Sequence, residues 1–100
     1  MIRHVVIWRF KDEAKRGGRL HNLDLIRESV NSMRRAVPGL LRLDLGVNQT
    51  ALPDAADLML YSEFESWEAL RDYEEHPLHY ELRALIGPLR LERRVVDYET

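Results

Sequence analysis

The sequence predicts an α+β fold, an antiparallel sheet with helices on one face and the element order β-α-β-β-α-β. Three observations predict it. Four separated stretches read as strands, by period-two alternation or by short continuous apolar runs. One long stretch between the first two repeats its apolar residues at helical spacing. A second helical stretch, broken by Pro77, precedes the last strand.

The first strand is Ile2 to Phe10, rich in β-branched and aromatic residues. Ile2, His4, Val6, Trp8 and Phe10 share one face, and Arg3, Val5, Ile7 and Arg9 the other. Lys11 to Arg19 is polar, with some helix allowed near Asp12 and Gly17-Gly18 as a flexible approach to the next element. From Leu20 a helical stripe runs through Leu23, Ile26, Val30, Met33 and Val37. Arg34-Arg35 suit the negative end of that helix, and Pro38-Gly39 stops it. Leu41, Leu43, Leu45 and Val47 alternate with polar or small residues, as in an edge strand. After a loop with a Pro53-Asp54 turn, Leu58 to Phe64 is the third strand. Ser66 is an N-cap for a helix carrying Trp67, Leu70 and Tyr73. Pro77 ends that helix, and a second runs from about Leu78 to Ile86, where Gly87-Pro88 stops it. Leu91 to Tyr98 is the last strand. This order is the split βαβ, or ferredoxin-like, arrangement.

The 100 residues fit a single domain spanning 1–100. Hydrophobic content of 45% and charged content of 32% suit a packed chain rather than a disordered one. A formal net charge of −2, with both signs interspersed, argues against nucleic acid or a membrane surface as partner. The absence of cysteine excludes disulfides, thiolate metal sites and cysteine nucleophiles. No apolar run approaches the ~20 residues of a membrane span. Arg3, His4 and Arg9 interrupt any signal-peptide core, so a cytoplasmic location is expected. With helices on one face, the sheet face carrying Val5, Ile7, Met59 and Tyr61 is left exposed. A homodimer that closes two sheets against each other covers it economically.

The chain resembles the stress-responsive A/B barrel (Dabb) family of the dimeric α+β barrel superfamily. The resemblance rests on Arg3-His4-Val5-Val6-Ile7 with Phe10-Lys11-Asp12, Val37-Pro38-Gly39-Leu40, Ser62-Glu63-Phe64, Tyr73-Glu74-Glu75-His76-Pro77-Leu78-His79 and Val95-Val96-Asp97-Tyr98. It implies a dimer in which two ferredoxin-like sheets form a barrel. The family includes stress-induced plant proteins, polyketide cyclases of the olivetolic acid cyclase kind, and many bacterial members without an assigned activity. By resemblance to the cyclases, His79 is the acid/base, Tyr73 orients it, and His4 lines a pocket between sheet and helices. The implied chemistry is an intramolecular aldol condensation on a small aromatic or carbonyl ligand. A histidine, with an ordinary pKa near ~6.5, suits proton transfer at neutral pH. Trp8, where the cyclase has a smaller leucine, is expected in the pocket and could fill it. Arg83, one helical turn after His79, either binds an acidic ligand or disfavours a protonated His79.

His76 is read as structural, its ring bonding to the end of the broken helix, and His21 as a solvated residue of the first helix. Tyr61, Tyr80 and Tyr98 are expected to pack in the sheet or dimer. No metal is expected: His76-Pro77-Leu78-His79 is not an i, i+4 ligand pair, and no carboxylate obviously converges on it. No cofactor is expected either; Gly17-Gly18 alone is not a phosphate loop. Two alternatives to a pocket enzyme stand beside it. One is a non-catalytic stability or ligand-binding dimer. The other is a cofactor-independent barrel monooxygenase, which needs an open pocket.

Overall fold

A computed structural model describes residues 1–16 and 19–100, so the Gly17-Gly18 approach lies outside the described residues. Four strands form an antiparallel sheet in the order β4-β5-β1-β6, with β1 at Ile2–Phe10, β4 at Leu40–Val47, β5 at Leu58–Phe64 and β6 at Arg90–Glu99. Helices α1 (Leu23–Ala36), α2 (Trp67–Glu74) and α3 (Pro77–Ile86) cover one face. The architecture is ferredoxin-like, as the element order predicts.

Strand parity decides which side chains enter the core. In β1, Ile2, His4, Val6, Trp8 and Phe10 are all buried, and Ile7 and Arg9 are exposed. In β5, Leu58, Leu60, Ser62 and Phe64 are buried and alternate with half-buried Met59, Tyr61 and Glu63. The register sets His4 between Ser62 and Asp97, and Trp8 between Leu58 and Arg93. Ile26, Val30 and Met33 of α1 close the core from the other side.

Three departures from the sequence reading have local causes. The helical stripe begins at Leu23, not Leu20. Leu20 belongs to a two-stranded ribbon of β2 (Lys15–Arg16) and β3 (Arg19–Leu20), where it pairs with Lys15. His21 accordingly lies before the helix, exposed, in a turn whose backbone N–H donates to Ala14. In β4 the register slips between Leu40 and Arg42. This bulge turns Leu41 out to 51% exposure, whereas simple alternation would bury it beside Leu43.

The break between α2 and α3 follows from Pro77. His76 is extended (φ −70°, ψ 140°), as a residue before proline must be, and Pro77 takes the first helical position of α3. His76 Nδ1 accepts the Leu78 backbone N–H at 3.1 Å, capping α3. Ser66 caps α2 in the same way, its hydroxyl accepting from Ala69 N–H at 3.1 Å. Among the described residues no helix is long and apolar enough to cross a membrane.

Among the described residues no helix covers the opposite face of the sheet. Ile7 (38%), Val96 (60%) and Tyr98 (41%) are exposed there. On the same face Arg3 donates to the Tyr61 hydroxyl and to Glu63, and Tyr61 donates to Glu63 at 2.5 Å.

Candidate functional site

The helix break delivers His79 to the inner face of the sheet. There β1 presents His4 and Trp8, and α2 presents Tyr73. These four side chains line a cavity of about 610 Å³, together with Arg83 and Tyr80 of α3. Trp8 is 6% exposed and forms part of the wall; it does not fill the space beside it. Tyr80 lies on α3, not in the sheet, and is 51% exposed in the single chain.

Tyr73 sits between the two histidines. Its ring lies 4.7 Å from the His79 ring and 6.1 Å from the His4 ring, centroid to centroid. Phe64 supports it from behind at 5.0 Å. The side chain is fully buried, yet its hydroxyl has no hydrogen-bond partner among the described residues. Burial pushes the phenol pKa up, so the group stays protonated and can donate.

His79 is oriented by backbone, not by Tyr73. Its Nδ1 lies 3.0 Å from the Glu74 carbonyl oxygen. A carbonyl only accepts, so Nδ1 carries the proton and Nε2 holds the lone pair of the neutral ring. Desolvation lowers the His79 pKa to about 4, with the charges of Arg83, His4 and Arg93 acting in the same direction; the Glu74 hydrogen bond opposes them. His79 is therefore a neutral imidazole near pH 7 with a defined lone-pair nitrogen, and the same desolvation makes that nitrogen a weaker base than a free histidine. His4 is held similarly: its Nδ1 bonds to the Asp97 carboxylate, which leaves Nε2 as the nitrogen without a protein partner among the described residues.

His76 stands apart from this group, with its Nδ1 committed to the α3 cap. Among the described residues no three His, Cys, Asp or Glu side chains cluster closely enough to hold a metal ion.

The stress responsive A/B barrel domain (Dabb) matches residues 2–100. The chain belongs to the Dabb family. Similar solved structures extend the comparison. A dimeric protein of ferredoxin-like fold and unknown function from Bacteroides fragilis superposes with a TM-score of 0.88 at 21% identity, over 99% of this chain and 95% of its own. An antibiotic biosynthesis monooxygenase superposes with a TM-score of 0.79 at 25% identity, over 100% of this chain and 98% of its own. The hydroxynitrile lyase of Passiflora edulis superposes with a TM-score of 0.76 at 18% identity, over 97% of this chain and 90% of its own. No curated protein matches the chain.

In this Dabb domain the site also uses groups that residue pattern alone does not single out. Asp97 stands opposite His4 only because β6 pairs with β1 in one particular register. Arg90 and Arg93 reach the cavity for the same reason. The Glu74 carbonyl is free to accept from His79 because α2 ends there.

Proposed function

We propose that this Dabb domain is a homodimer with a small-molecule cavity between sheet and helices, in which His79 transfers protons on a carbonyl ligand as in the polyketide cyclases. One observation carries this reading. His79 is a neutral, Nδ1-protonated imidazole whose unbonded Nε2 belongs to a ring lining the cavity. The step is a proton abstraction. Nε2 takes the proton from carbon next to a carbonyl, and the C–H electron pair moves into the carbon–carbon bond as charge passes to the oxygen. The resulting enolate carbon attacks a second carbonyl of the same molecule, forming a carbon–carbon bond. The imidazolium returns its proton to the new alkoxide, so atoms and charge balance. Tyr73, protonated and without a partner among the described residues, is the donor to oxygen in that sequence, and His4, with Nδ1 engaged by Asp97, lines the cavity beside it.

Deuterium incorporation isolates the first step. An aryl β-diketone incubated in D2O is expected to exchange its central protons faster with the protein than in buffer alone. His79→Gln should slow that exchange by about 10²-fold, the usual contribution of a positioned base. Because His79 is neutral well below pH 7, the protein-dependent rate should be flat between about pH 6 and 8, given its pKa of about 4. Exchange no faster than buffer, or unchanged by His79→Gln, leaves the non-catalytic ligand-binding reading in its place. The likeness to an antibiotic biosynthesis monooxygenase favours a second reading, cofactor-independent oxygenation in the same cavity. Consumption of dissolved oxygen by the protein with a quinol-type substrate would select it.

A further inference from the structure

We infer that the cavity takes a ligand bearing an oxyanion, carboxylate or phosphate, held by Arg83, Arg90 and Arg93. The inference rests on the cavity being a small-molecule site and does not depend on proton transfer at His79. The three arginines come from different places, one from α3 and two from β6, yet all line the same cavity. None of them forms an ion pair among the described residues. Arg83 lies 5.9 Å from the Tyr80 ring centroid, a contact that leaves its charge uncompensated. Glu74 is the single acidic residue of that lining among the described residues.

The distribution runs against the whole chain. The formal net charge is −2, while the cavity wall carries three guanidinium groups against one carboxylate. Like charges gathered at one concave surface repel each other, and the concavity focuses their field outward. A bound anion relieves that repulsion. Guanidinium is the side chain suited to it, because its planar fork matches carboxylate and phosphate oxygens in pairs. The field reaches the reacting groups too, since Arg83 and Arg93 both disfavour a proton on His79. The buried Tyr73 hydroxyl, unpartnered among the described residues, adds a neutral donor to the same cavity. A ligand anchored by its anion at the arginines would present its other end to Tyr73 and His79.

The molecule contains its own reporter. Trp8 lines the cavity, and the second tryptophan, Trp67, is 41% exposed at the start of α2. In the Trp67→Phe protein, Trp8 emission is titrated with benzoate, with phenyl phosphate, and with benzamide as the neutral analogue of benzoate. Saturable quenching by an anion, with benzamide much weaker, is the expected result. Arg93→Gln and Arg83→Gln should each weaken anion binding about three- to tenfold, a range discounted for their exposure to solvent. Benzamide should be unaffected. The stronger of benzoate and phenyl phosphate identifies which oxyanion is preferred. Equal responses to benzoate and benzamide, no saturable response to either anion, or anion affinity indifferent to both arginine substitutions would each overturn the inference. Saturable anion binding by a wild-type protein whose deuterium exchange is no faster than buffer would leave the inference standing and remove the acid–base reading alone.

Discussion

His79 is kept neutral by burial and kept in one tautomer by a single carbonyl, and both constraints have a measurable cost in acid. Its pKa is about 4 in the folded chain against an ordinary value of 6.5. Between these values the unfolded chain binds a proton that the folded one refuses, so stability falls as pH drops from 6.5 towards 4. Above pH 6.5 the contribution is fully present. Its upper bound is roughly 3–4 kcal/mol, the full difference between 6.5 and about 4, and solvent reaching the ring through the cavity reduces it. His79→Phe should remove this slope, and urea denaturation of both proteins at pH 7.5 and pH 5 measures the difference. An identical loss of stability in both would assign the acid sensitivity to other groups. The spacing of Tyr73, His76, Pro77 and His79 was enough to mark this stretch, because a proline between two histidines is unusual chemistry at a helix break. Asp97 and Arg93 were not legible in the same way. Their place beside His4 and Trp8 is a property of strand register, which a single edge strand rich in charge does not specify.

At the scale of elements, the turn between α1 and β4 is the most constrained joint. Gly39 has φ +77°, and a Cβ built there would meet the Ala69 Cβ at 2.7 Å. Its carbonyl also accepts the Glu65 N–H at 3.1 Å, tying the turn to the approach of α2. Gly39→Ala should therefore destabilise the fold by about 2–4 kcal/mol, the sum of a left-handed backbone and a steric clash. Adding Ala69→Gly removes the clash and not the backbone strain, so it should recover only part of the loss in urea denaturation. Full recovery would mean the backbone at Gly39 is not strained. The four strands of the main sheet and the three α-helices were readable: β1 and β5 occupy the predicted residues, and Pro77 splits the second helical segment as expected, whereas the β2–β3 ribbon was not. The misses fall where non-local pairing overrides local period. Leu20 fits the α1 stripe, yet it pairs with Lys15 in the ribbon. Leu41 fits the β4 alternation, yet a bulge turns it to solvent.

At the scale of the whole molecule, the uncovered sheet face drives the proposed assembly. Val96 is 60% exposed and pairs with Val5 on that face, beside Ile7 and Tyr98. Light scattering at micromolar concentration should give a mass near twice the 11.8 kDa of one chain. Val96→Glu should bring it to one chain without unfolding, since Val96 contributes little to the core of a single chain. A wild-type mass of 11.8 kDa would refute the homodimer. Apolar residues on both faces of β1 made this expectation available from sequence, because one layer of helices cannot cover both. The bulge that exposes Leu41 bears on how far such association can go. An open sheet has two edges, β4 and β6, and endless growth into a fibre requires both to accept a neighbouring strand. On β4 the bulge distorts the hydrogen-bonding ladder, and the Arg42–Asp44 ion pair at 2.7 Å sets charge alongside it. The β6 edge is also lined with charge, Glu92 pairing with Arg9 and Arg94, so neither edge invites a neighbouring strand. Association through the apolar face closes as a pair, and the same slip of one residue that spoils the alternation of β4 guards that edge against adding a further strand.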